Sequence, residues 1–226
     1  MLSIPAAAVF DLDRTITRFG TYTPFLLNAR PLGPAMLWNF IKGLPTLAKY
    51  HAGRVSRAAL KETMLRYSIA GAQRSQIEAW TDRFATRWLE SQIRPGARAA
   101  IARHRAAGDH LVLATASFDF YAQVFAERLG FDHVISTASV WDAGDRLCAQ
   151  VEGDNCYGEA KLAAVKAYFS SLPASARVIA YSDHHSDLDL LRWAHEGVAV
   201  NPDSKLRRVA PAHNLSVVDW DVADAA

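Results

Sequence analysis

The amino-acid sequence predicts an α/β fold, a parallel sheet with helices on both faces and a helical insertion after the first strand. The first observation is a compact apolar run, Ala6–Phe10, which ends in Asp-Leu-Asp as a buried parallel strand does. The second is the regular alternation of helical and strand-like segments from Pro95 onward, which is typical of a Rossmann-like sheet covered by helices. The 226 residues are enough for one large core and a smaller companion domain.

The chain between the first strand and residue 94 is mainly helical. Ser56–Tyr67 and Ser75–Leu89 carry apolar side chains at helical spacing, and Ser75 is predicted to cap the second helix, with Glu78 at its third position. We therefore predict a core domain of residues 1–15 and 94–226 and a helical domain of residues 16–93.

The alternating part of the chain predicts four further strands and four further helices. The strands are expected at His110–Ala114, His133–Thr137, Arg177–Tyr181 and Gly197–Val200. The helices are expected at Ala97–Ala107, Phe118–Leu129, Glu159–Phe169 and Asp187–Ala194. A β-hairpin is predicted within Trp141–Gly153, where turn residues separate two strand-like pieces. The small, polar tail from Asp219 onward is expected to fray.

The composition argues against several classes of protein. With 25 Lys+Arg and 23 Asp+Glu, the formal net charge is +2, which gives no general attraction to nucleic acid. The two cysteines, Cys148 and Cys156, fit neither a zinc pattern nor a disulfide framework, so reduced thiols are expected.

Features of export and of membrane insertion are also missing from the sequence. Met1–Phe10 contains no Lys or Arg and has only a short apolar run, unlike a signal peptide. The longest apolar stretch, Leu32–Ala48, falls short of the ~20 apolar residues that a spanning helix needs. It contains Lys42 and is interrupted by Pro34, Gly43 and Pro45. We therefore expect a cytoplasmic protein.

Polar side chains follow three of the predicted strands, at the point where each strand ends. They are Asp11, Asp13, Thr15, Thr115, Ser117, Ser182, Asp183 and Asp187, and Lys161 opens a helix nearby. Because ligands of open α/β sheets bind at the carboxyl ends of the strands, we expect these side chains to converge. Clustered carboxylates repel each other, which indicates a bound cation, and an all-oxygen ligand set favours Mg²⁺ over Zn²⁺.

Each of these signals has a simpler explanation when it is taken alone. Asp-x-Asp is common in turns, Thr115 fits a strand end, and Lys161 fits a solvated helix surface. Asp183 and Asp187 fit helix caps, where aspartate is favoured. Their joint occurrence in this order is the reason to prefer a functional site.

Four segments together resemble the motifs of the haloacid dehalogenase superfamily. VFDLDRT resembles the first motif, a strand followed by Asp-x-Asp-x-Thr, and LVLATAS resembles the second, an apolar strand that ends in Thr or Ser. Lys161 in NCYGEAK resembles the third motif, and AYSDHHSDLDLL resembles the fourth. The insertion between the first two motifs and the NC-x-G-x-x-K turn are similar to the phosphoserine-phosphatase-like branch, subfamily IB.

The resemblance implies a Mg²⁺-dependent phosphatase that hydrolyses a phosphomonoester through an aspartyl-phosphate intermediate. Asp11 would be the nucleophile and Asp13 the general acid and base. The implied catalytic and substrate contacts to phosphate are Thr115, Ser117, Lys161 and Arg14. The implied metal ligands are Asp11, the backbone carbonyl of Asp13, Asp183 and Asp187.

The sequence predicts the reaction more narrowly than it predicts the identity of the small phosphorylated substrate. In this family the insertion is a cap over the phosphate site, and phosphoserine phosphatases carry a Glu nine residues after the nucleophile, where this sequence has Gly20. An apolar part of the insertion is expected to face an apolar leaving group or a membrane surface, so a lipid phosphate is an alternative to amino-acid and sugar phosphates. Its residues are Met36, Leu37, Trp38, Phe40 and Ile41.

Two other functions stay open, namely a phosphotransferase or phosphomutase and a non-catalytic phosphate- or membrane-binding module that keeps the fold. The sequence defines no oligomeric state. Arg14 either reaches the substrate or remains solvated. His184 and His185 flank the fourth motif and, as neighbours, are not both expected to point inward.

Overall fold

The computed structural model describes residues 6–29, 33–172 and 177–222. Its strands are β1 Ala6–Phe10, β2 His110–Phe118, β3 His133–Trp141, β4 Leu147–Glu152, β5 Arg177–Ser182, β6 Glu196–Val200 and β7 Ser216–Val218. They form one sheet of order β4-β3-β2-β1-β5-β6-β7, in which only the β3–β4 pair is antiparallel. The predicted fold class is therefore confirmed, and so is the hairpin.

Helices cover both faces of this sheet. They are α1 Tyr22–Ala29, α2 Pro34–His51, α3 Arg57–Arg66, α4 Arg74–Ser91, α5 Pro95–Ala107, α6 Asp119–Leu129, α7 Glu159–Ser170, α8 Leu188–Trp193 and α9 Ser204–Val209. Helices α5 and α6 pack on one face, with residues of α1, α3 and α4, whereas α7, α8 and α9 pack on the other. The helices α1–α4, which lie between β1 and α5, are called the cap from here on.

Alternate residues of the central strands supply the two apolar cores. In β1, Ala8 and Phe10 belong to the core beneath α5 and α6, whereas Val9 belongs to the core beneath α7 and α8. Side chains of successive strand residues point to opposite faces, so a strand covered on both sides must be apolar throughout. This requirement explains why β1 is a continuous apolar run.

Strand β2 extends further than the sequence predicted. It continues past Ala114 to Phe118, with a shift of register against β3 between these two residues. Thr115 and Ser117 therefore lie within an irregular strand end and not in the loop that follows it. Such a bulge changes the direction of side chains and is common beside functional sites.

The start of helix α4 also differs from the prediction. Gln73, and not Ser75, is the N-cap residue, because the helix already begins at Arg74. The backbone N–H of Gln73 donates to Oε1 of Gln76 at 3.0 Å, so Gln76 takes the position that was assigned to Glu78.

The tail is anchored where it was expected to fray. Trp220 is only 7 % exposed, and its ring lies 5.2 Å from that of Tyr181 and 6.2 Å from that of Phe10. A Cβ on Gly96 would come within 2.4 Å of this indole, so the close approach requires glycine. Burial of the Trp220 side chain therefore holds the tail in place although its neighbours in sequence are polar. Residues 223–226 lie outside the described ranges.

The chain enters and leaves the cap side by side, since Thr17 and Ile93 form an isolated antiparallel bridge. Helix α2 continues through Gly43 and Pro45, two of the residues that interrupt the apolar stretch Leu32–Ala48. Trp38 and Ile41 are 59 % and 44 % exposed, whereas the side chains of Met36, Leu37 and Phe40 lie outside the described part. Among the described helices, none is both long and apolar enough to cross a bilayer.

Candidate active site

The predicted site residues lie at the carboxyl edge of the three central strands. Asp11 directly follows β1, Ser117 lies near the end of β2, and Asp183 directly follows β5. Because β1 pairs with both β2 and β5, the three strand ends are neighbours. Lys161 reaches the same edge from the first turn of α7, after Gly158, whose φ of 58° is a conformation that glycine adopts without strain.

Lys161 connects two of the predicted carboxylates. Its Nζ lies 2.8 Å from Oδ1 of Asp11 and 2.7 Å from Oδ2 of Asp187. Ser182 also donates to Oδ2 of Asp187, at 2.8 Å. Burial disfavours the ammonium, but the charges of Asp11 and Asp187 outweigh it and raise the pKa of Lys161, which keeps the lysine charged.

Thr15 connects Asp11 to the third carboxylate. Its Oγ1 lies 3.3 Å from Oδ2 of Asp11 and 3.3 Å from Oδ1 of Asp183, and it accepts the Asp183 backbone N–H at 2.9 Å. Asp187 precedes α8, but its side chain makes no capping hydrogen bond. The simpler explanation of Asp187 as a helix cap therefore fails.

The three buried carboxylates outnumber the one lysine of the cluster, which contacts Asp11 and Asp187. Burial raises the pKa of Asp183 to about 8, and the charges of Asp11 and Asp187 add to this rise. Burial also raises the pKa of Asp11 to about 6, although the charge of Lys161 opposes the change. The cluster therefore needs more positive charge to stay ionised at neutral pH. Its oxygen donors and its excess negative charge fit a hard divalent cation such as Mg²⁺.

Asp13 is held by a separate set of hydroxyl groups. Its Oδ1 accepts the backbone N–H of Thr21 at 2.6 Å and the Thr21 hydroxyl at 2.7 Å, and its Oδ2 accepts the Ser117 hydroxyl at 2.9 Å. The Tyr121 hydroxyl in turn donates to Ser117 Oγ at 2.7 Å. Burial, with the charge of Asp13, raises the pKa of Tyr121, which keeps this hydroxyl a donor. Both oxygens of Asp13 are thus fixed in direction.

Thr115 lies behind the wall of the site. It is fully buried, and its Oγ1 accepts the backbone N–H of Ser117 at 3.1 Å. The residues of β2 that line the pocket are Ala116 and Ser117. Arg14 has a positive φ of 65°. It lines the pocket and is also exposed to solvent, so a position beside the substrate and a solvated side chain, the two alternatives predicted for it, are compatible.

A pocket of ≈ 460 Å³ lies between this sheet edge and the cap. Asp11, Asp13, Lys161 and Asp183 lie along its core side. The cap contributes Tyr22, Thr23, Tyr50, Arg57, Leu60, Lys61 and Met64, and Gly20 lines the pocket from the segment just before α1. This cap lining contains two basic side chains and, among the described residues, no carboxylate.

His184 and His185 lie beside Asp203, and of the two only His184 lines the pocket. His185 Nδ1 and His184 Nε2 lie 2.7 Å and 3.7 Å from Oδ2 of Asp203. His184 Nδ1 accepts the backbone N–H of Ser186 at 3.1 Å, so the ring proton is on Nε2, which leaves no lone pair there for a metal. Asp203 also caps α9 by accepting the Leu206 N–H at 2.7 Å. The cluster fits a hydrogen-bonded support for α9 better than a second metal site.

Thr21, Tyr121 and Lys61 were not found from the sequence. One feature of the sequence could have indicated that Lys61 is buried. It lies one turn before the fully buried Leu65 and thus on the apolar face of α3. No such feature marks Thr21 and Tyr121, because their contacts depend on how the cap docks on β2 and α6.

Three comparisons place the chain among known proteins. The model of the haloacid dehalogenase-like hydrolase family matches residues 8–192. The protein CicA of Caulobacter vibrioides is 31% identical over 192 residues, which are 85% of this chain and 84% of that protein. The phosphoserine phosphatase SerB1 of Mycobacterium tuberculosis is 26% identical and is matched over 74% of its length by 100% of this chain.

A solved structure shares the fold of this chain. A protein of unknown function from Bordetella pertussis superimposes with a TM-score of 0.84 at 26% identity, over 96% of this chain and 100% of that one. Since the family model spans the strands and loops that carry the carboxylates and Lys161, the chain belongs to the haloacid dehalogenase-like hydrolase family.

Proposed function

We propose that this protein is a Mg²⁺-dependent phosphomonoester hydrolase in which Asp11 is transiently phosphorylated. The observation that carries the proposal is the contact of Lys161 with both Asp11 and Asp187, within a buried cluster that includes Asp183. This chemistry needs a nucleophilic carboxylate, a lysine to neutralise phosphate, and further oxygen ligands for a cation. The similarity to a protein named phosphoserine phosphatase adds support.

Asp11 must approach an anionic phosphate. Two unit charges ~4 Å apart repel by about 4 kcal/mol at an effective dielectric of ~20, and about 1.36 kcal/mol corresponds to a tenfold change in rate. Lys161, 2.8 Å from Asp11, offsets part of this repulsion. The Asp11 oxygen attacks phosphorus while the bond to the leaving oxygen breaks, and water then hydrolyses the acyl phosphate and restores Asp11.

Asp13 is assigned the two proton transfers. It protonates the leaving oxygen in the first step and accepts a proton from the attacking water in the second. Its carboxylate lines the same pocket as that of Asp11, and the hydrogen bonds from Thr21 and Ser117 fix its direction. Phosphate oxygens are assigned to Lys161 and Ser117 at the pocket surface, with Thr115 behind them and Arg14 at the rim.

The proposed Mg²⁺ ligands are Asp11, the backbone carbonyl of Asp13, Asp183 and Asp187. When bound, the ion supplies positive charge that reduces the repulsion between nucleophile and phosphate. Thr15 orients two of these ligands, since its hydroxyl lies 3.3 Å from both Asp11 and Asp183.

We also propose the domain boundaries and the compartment. Residues 1–15 and 94–226 would form the core domain and residues 16–93 the cap domain, and the bridge between Thr17 and Ile93 supports this division. Cys148 and Cys156 are free, which supports a cytoplasmic location.

The cap lining favours a leaving group without an ammonium. Arg57 and Lys61 are its charged side chains among the described residues, and Gly20 leaves open space where phosphoserine phosphatases have a carboxylate. A neutral or anionic leaving group therefore fits better than phosphoserine. The exposed Trp38 and Ile41 on α2 keep a lipid phosphate among the candidates.

The test is phosphate release from an aryl phosphate with and without Mg²⁺. We expect Asp11→Asn to lower the turnover number by about a thousandfold or more, because the nucleophile is lost. Asp189→Asn, which alters an exposed carboxylate on α8, is the matched control and should keep wild-type turnover. Metal-dependent turnover retained by Asp11→Asn would exclude Asp11 as the nucleophile.

Product analysis separates the alternatives. Free phosphate supports hydrolysis, whereas an isomerised or transferred phosphate ester supports a phosphomutase or phosphotransferase. A lack of Mg²⁺-dependent turnover of amino-acid, sugar and lipid phosphates, together with binding to liposomes, would favour the non-catalytic module.

A further inference from the structure

Lys61 is a buried lysine to which the proposed chemistry assigns no catalytic step. It lies on cap helix α3 and is only 6% exposed. Its Nζ donates to the backbone carbonyl of Ala116, to Oδ1 of Asn155 at 2.6 Å and, more weakly, to Oγ1 of Thr137 at 3.5 Å. Three core segments, β2, β3 and the loop before α7, therefore converge on one lysine of the cap.

Stability alone does not explain a lysine at this position. All three of its hydrogen-bond acceptors are neutral, its Nζ also lies 5.0 Å from the centre of the uncharged Phe118 ring, and none of the ion pairs among the described residues involves Lys61. Burying an ammonium without a carboxylate is costly, whereas an apolar side chain of equal length avoids that cost. Burial, with the nearby charge of Arg57, lowers the pKa of Lys61 to about 7, which agrees with this cost.

The carbonyl that Lys61 holds belongs to the irregular end of β2. The Ala116–Ser117 peptide lines the pocket, and Thr137 Oγ1 donates to the same Ala116 carbonyl at 2.8 Å. Because a peptide unit is planar, a fixed Ala116 carbonyl also fixes the N–H of Ser117. That N–H donates to Thr115 Oγ1, and the Ser117 hydroxyl donates to Asp13 at 2.9 Å.

We infer that Lys61 is a positioning residue for the general acid. Its ammonium holds the Ala116–Ser117 peptide so that the Ser117 hydroxyl directs the carboxylate of Asp13 toward the leaving oxygen. Docking of the cap over the site therefore helps to orient Asp13, the residue that protonates the leaving group. This inference rests on the proposed function, because it needs Asp13 to act as an acid.

The experiment uses two substrates of similar shape, phenyl phosphate and nitrophenyl phosphate. Phenol is the poorer leaving group and depends more on the acid, so a misplaced Asp13 slows phenyl phosphate more. We expect Lys61→Met to lower kcat/KM, which reports the transfer step and not the later hydrolysis, by about ten- to hundredfold for phenyl phosphate and by about threefold or less for nitrophenyl phosphate. Lys49→Met, which changes an exposed lysine of the cap, should alter neither.

A double-mutant cycle with Ser117→Ala tests the route of the effect. If Lys61 acts through Ser117, Lys61→Met should cost less than about twofold on phenyl phosphate in the Ser117→Ala background. Multiplicative losses would overturn the inference, because Lys61 would then act independently of Ser117. Equal losses of kcat/KM on both substrates would also overturn it, since this constant excludes the later hydrolysis step and such losses would indicate only a cap that docks poorly.

Thermal unfolding of each variant checks the fold, and Lys61→Gln replaces Lys61→Met in the cycle if the latter does not fold. The wild-type protein separates the two claims. Absence of Mg²⁺-dependent phosphate release from both substrates would overturn the proposed function and this inference together. Release that is unaffected by the change at Lys61 would overturn this inference alone.

Discussion

Two buried lysines flank the pocket, and their surroundings are opposite. Lys161, in the core, contacts two carboxylates at 2.7–2.8 Å, whereas Lys61, in the cap, contacts neutral oxygens. Accordingly, carboxylate charges raise the pKa of Lys161, while burial lowers the pKa of Lys61 to about 7. Burial alone therefore does not determine whether the pKa of a lysine rises or falls. The direction of the pKa shift depends on the charged or neutral partners that the fold places beside the ammonium.

The largest expected effect is a loss of unfolding free energy when Lys161 is replaced. Lys161→Met removes the one positively charged partner that the described residues give to two buried carboxylates, and breaking a buried pair in this way costs about 3–5 kcal/mol of unfolding free energy. Denaturant unfolding measures the change, and Lys166→Met, on the exposed side of the same helix, is the control. A loss no larger than that of the control would mean that the Lys161 contacts do not stabilise the fold.

In metal-free protein, the contribution of Asp11 and Asp183 to stability should fall as the pH rises from about 4 to about 8. The folded-state pKa values of Asp11, about 6, and Asp183, about 8, lie above the ordinary value of 3.8, so folding favours their protonated forms and loses that advantage as they ionise. Thermal unfolding without Mg²⁺ should therefore show a smaller pH dependence for Asp183→Asn than for the wild type. Equal dependence in the two proteins would show that Asp183 ionises normally.

At Lys61 we expect a smaller pH dependence of stability, with the opposite sign to that of Asp11 and Asp183. Its folded-state pKa of about 7 lies below the ordinary 10.5, so its contribution to stability grows as the pH rises through this window. The stability of the wild type relative to Lys61→Met should rise by on the order of 2 kcal/mol from about pH 7 to about pH 9. A difference that stays constant across these two pH values would contradict the lowered pKa.

The smallest expected effect concerns the substrate. A side chain at Gly20 would meet no atom within 4 Å of its Cβ, and this position lines the pocket. Gly20→Glu adds a carboxylate near the leaving group, so we expect the ratio of activity on phosphoserine to that on phenyl phosphate to rise by about tenfold or less. Gly20→Gln, similar in size but uncharged, should leave this ratio near the wild-type value.

The sequence was sufficient for the core but not for the cap–core contacts. The alternation of strands and helices predicted the parallel sheet, and the cluster of Asp11, Asp183 and Lys161 could be predicted because each residue lies within a few positions of a strand end or a helix start. Trp220 and Lys61 could not, because a docked tail decides the burial of one and a docked cap decides that of the other. Local patterns indicate which element forms, whereas partners distant in sequence decide which polar groups become buried.

The most direct test of the central claim is to locate the phosphoryl group during turnover. The protein is mixed with radiolabelled phosphate ester and Mg²⁺, quenched in acid and digested, and the label is assigned by mass spectrometry. The account predicts a hydroxylamine-sensitive label on Asp11 that is absent from Asp11→Asn. Phosphate release with no labelled Asp11, or with the label on another side chain, would contradict it.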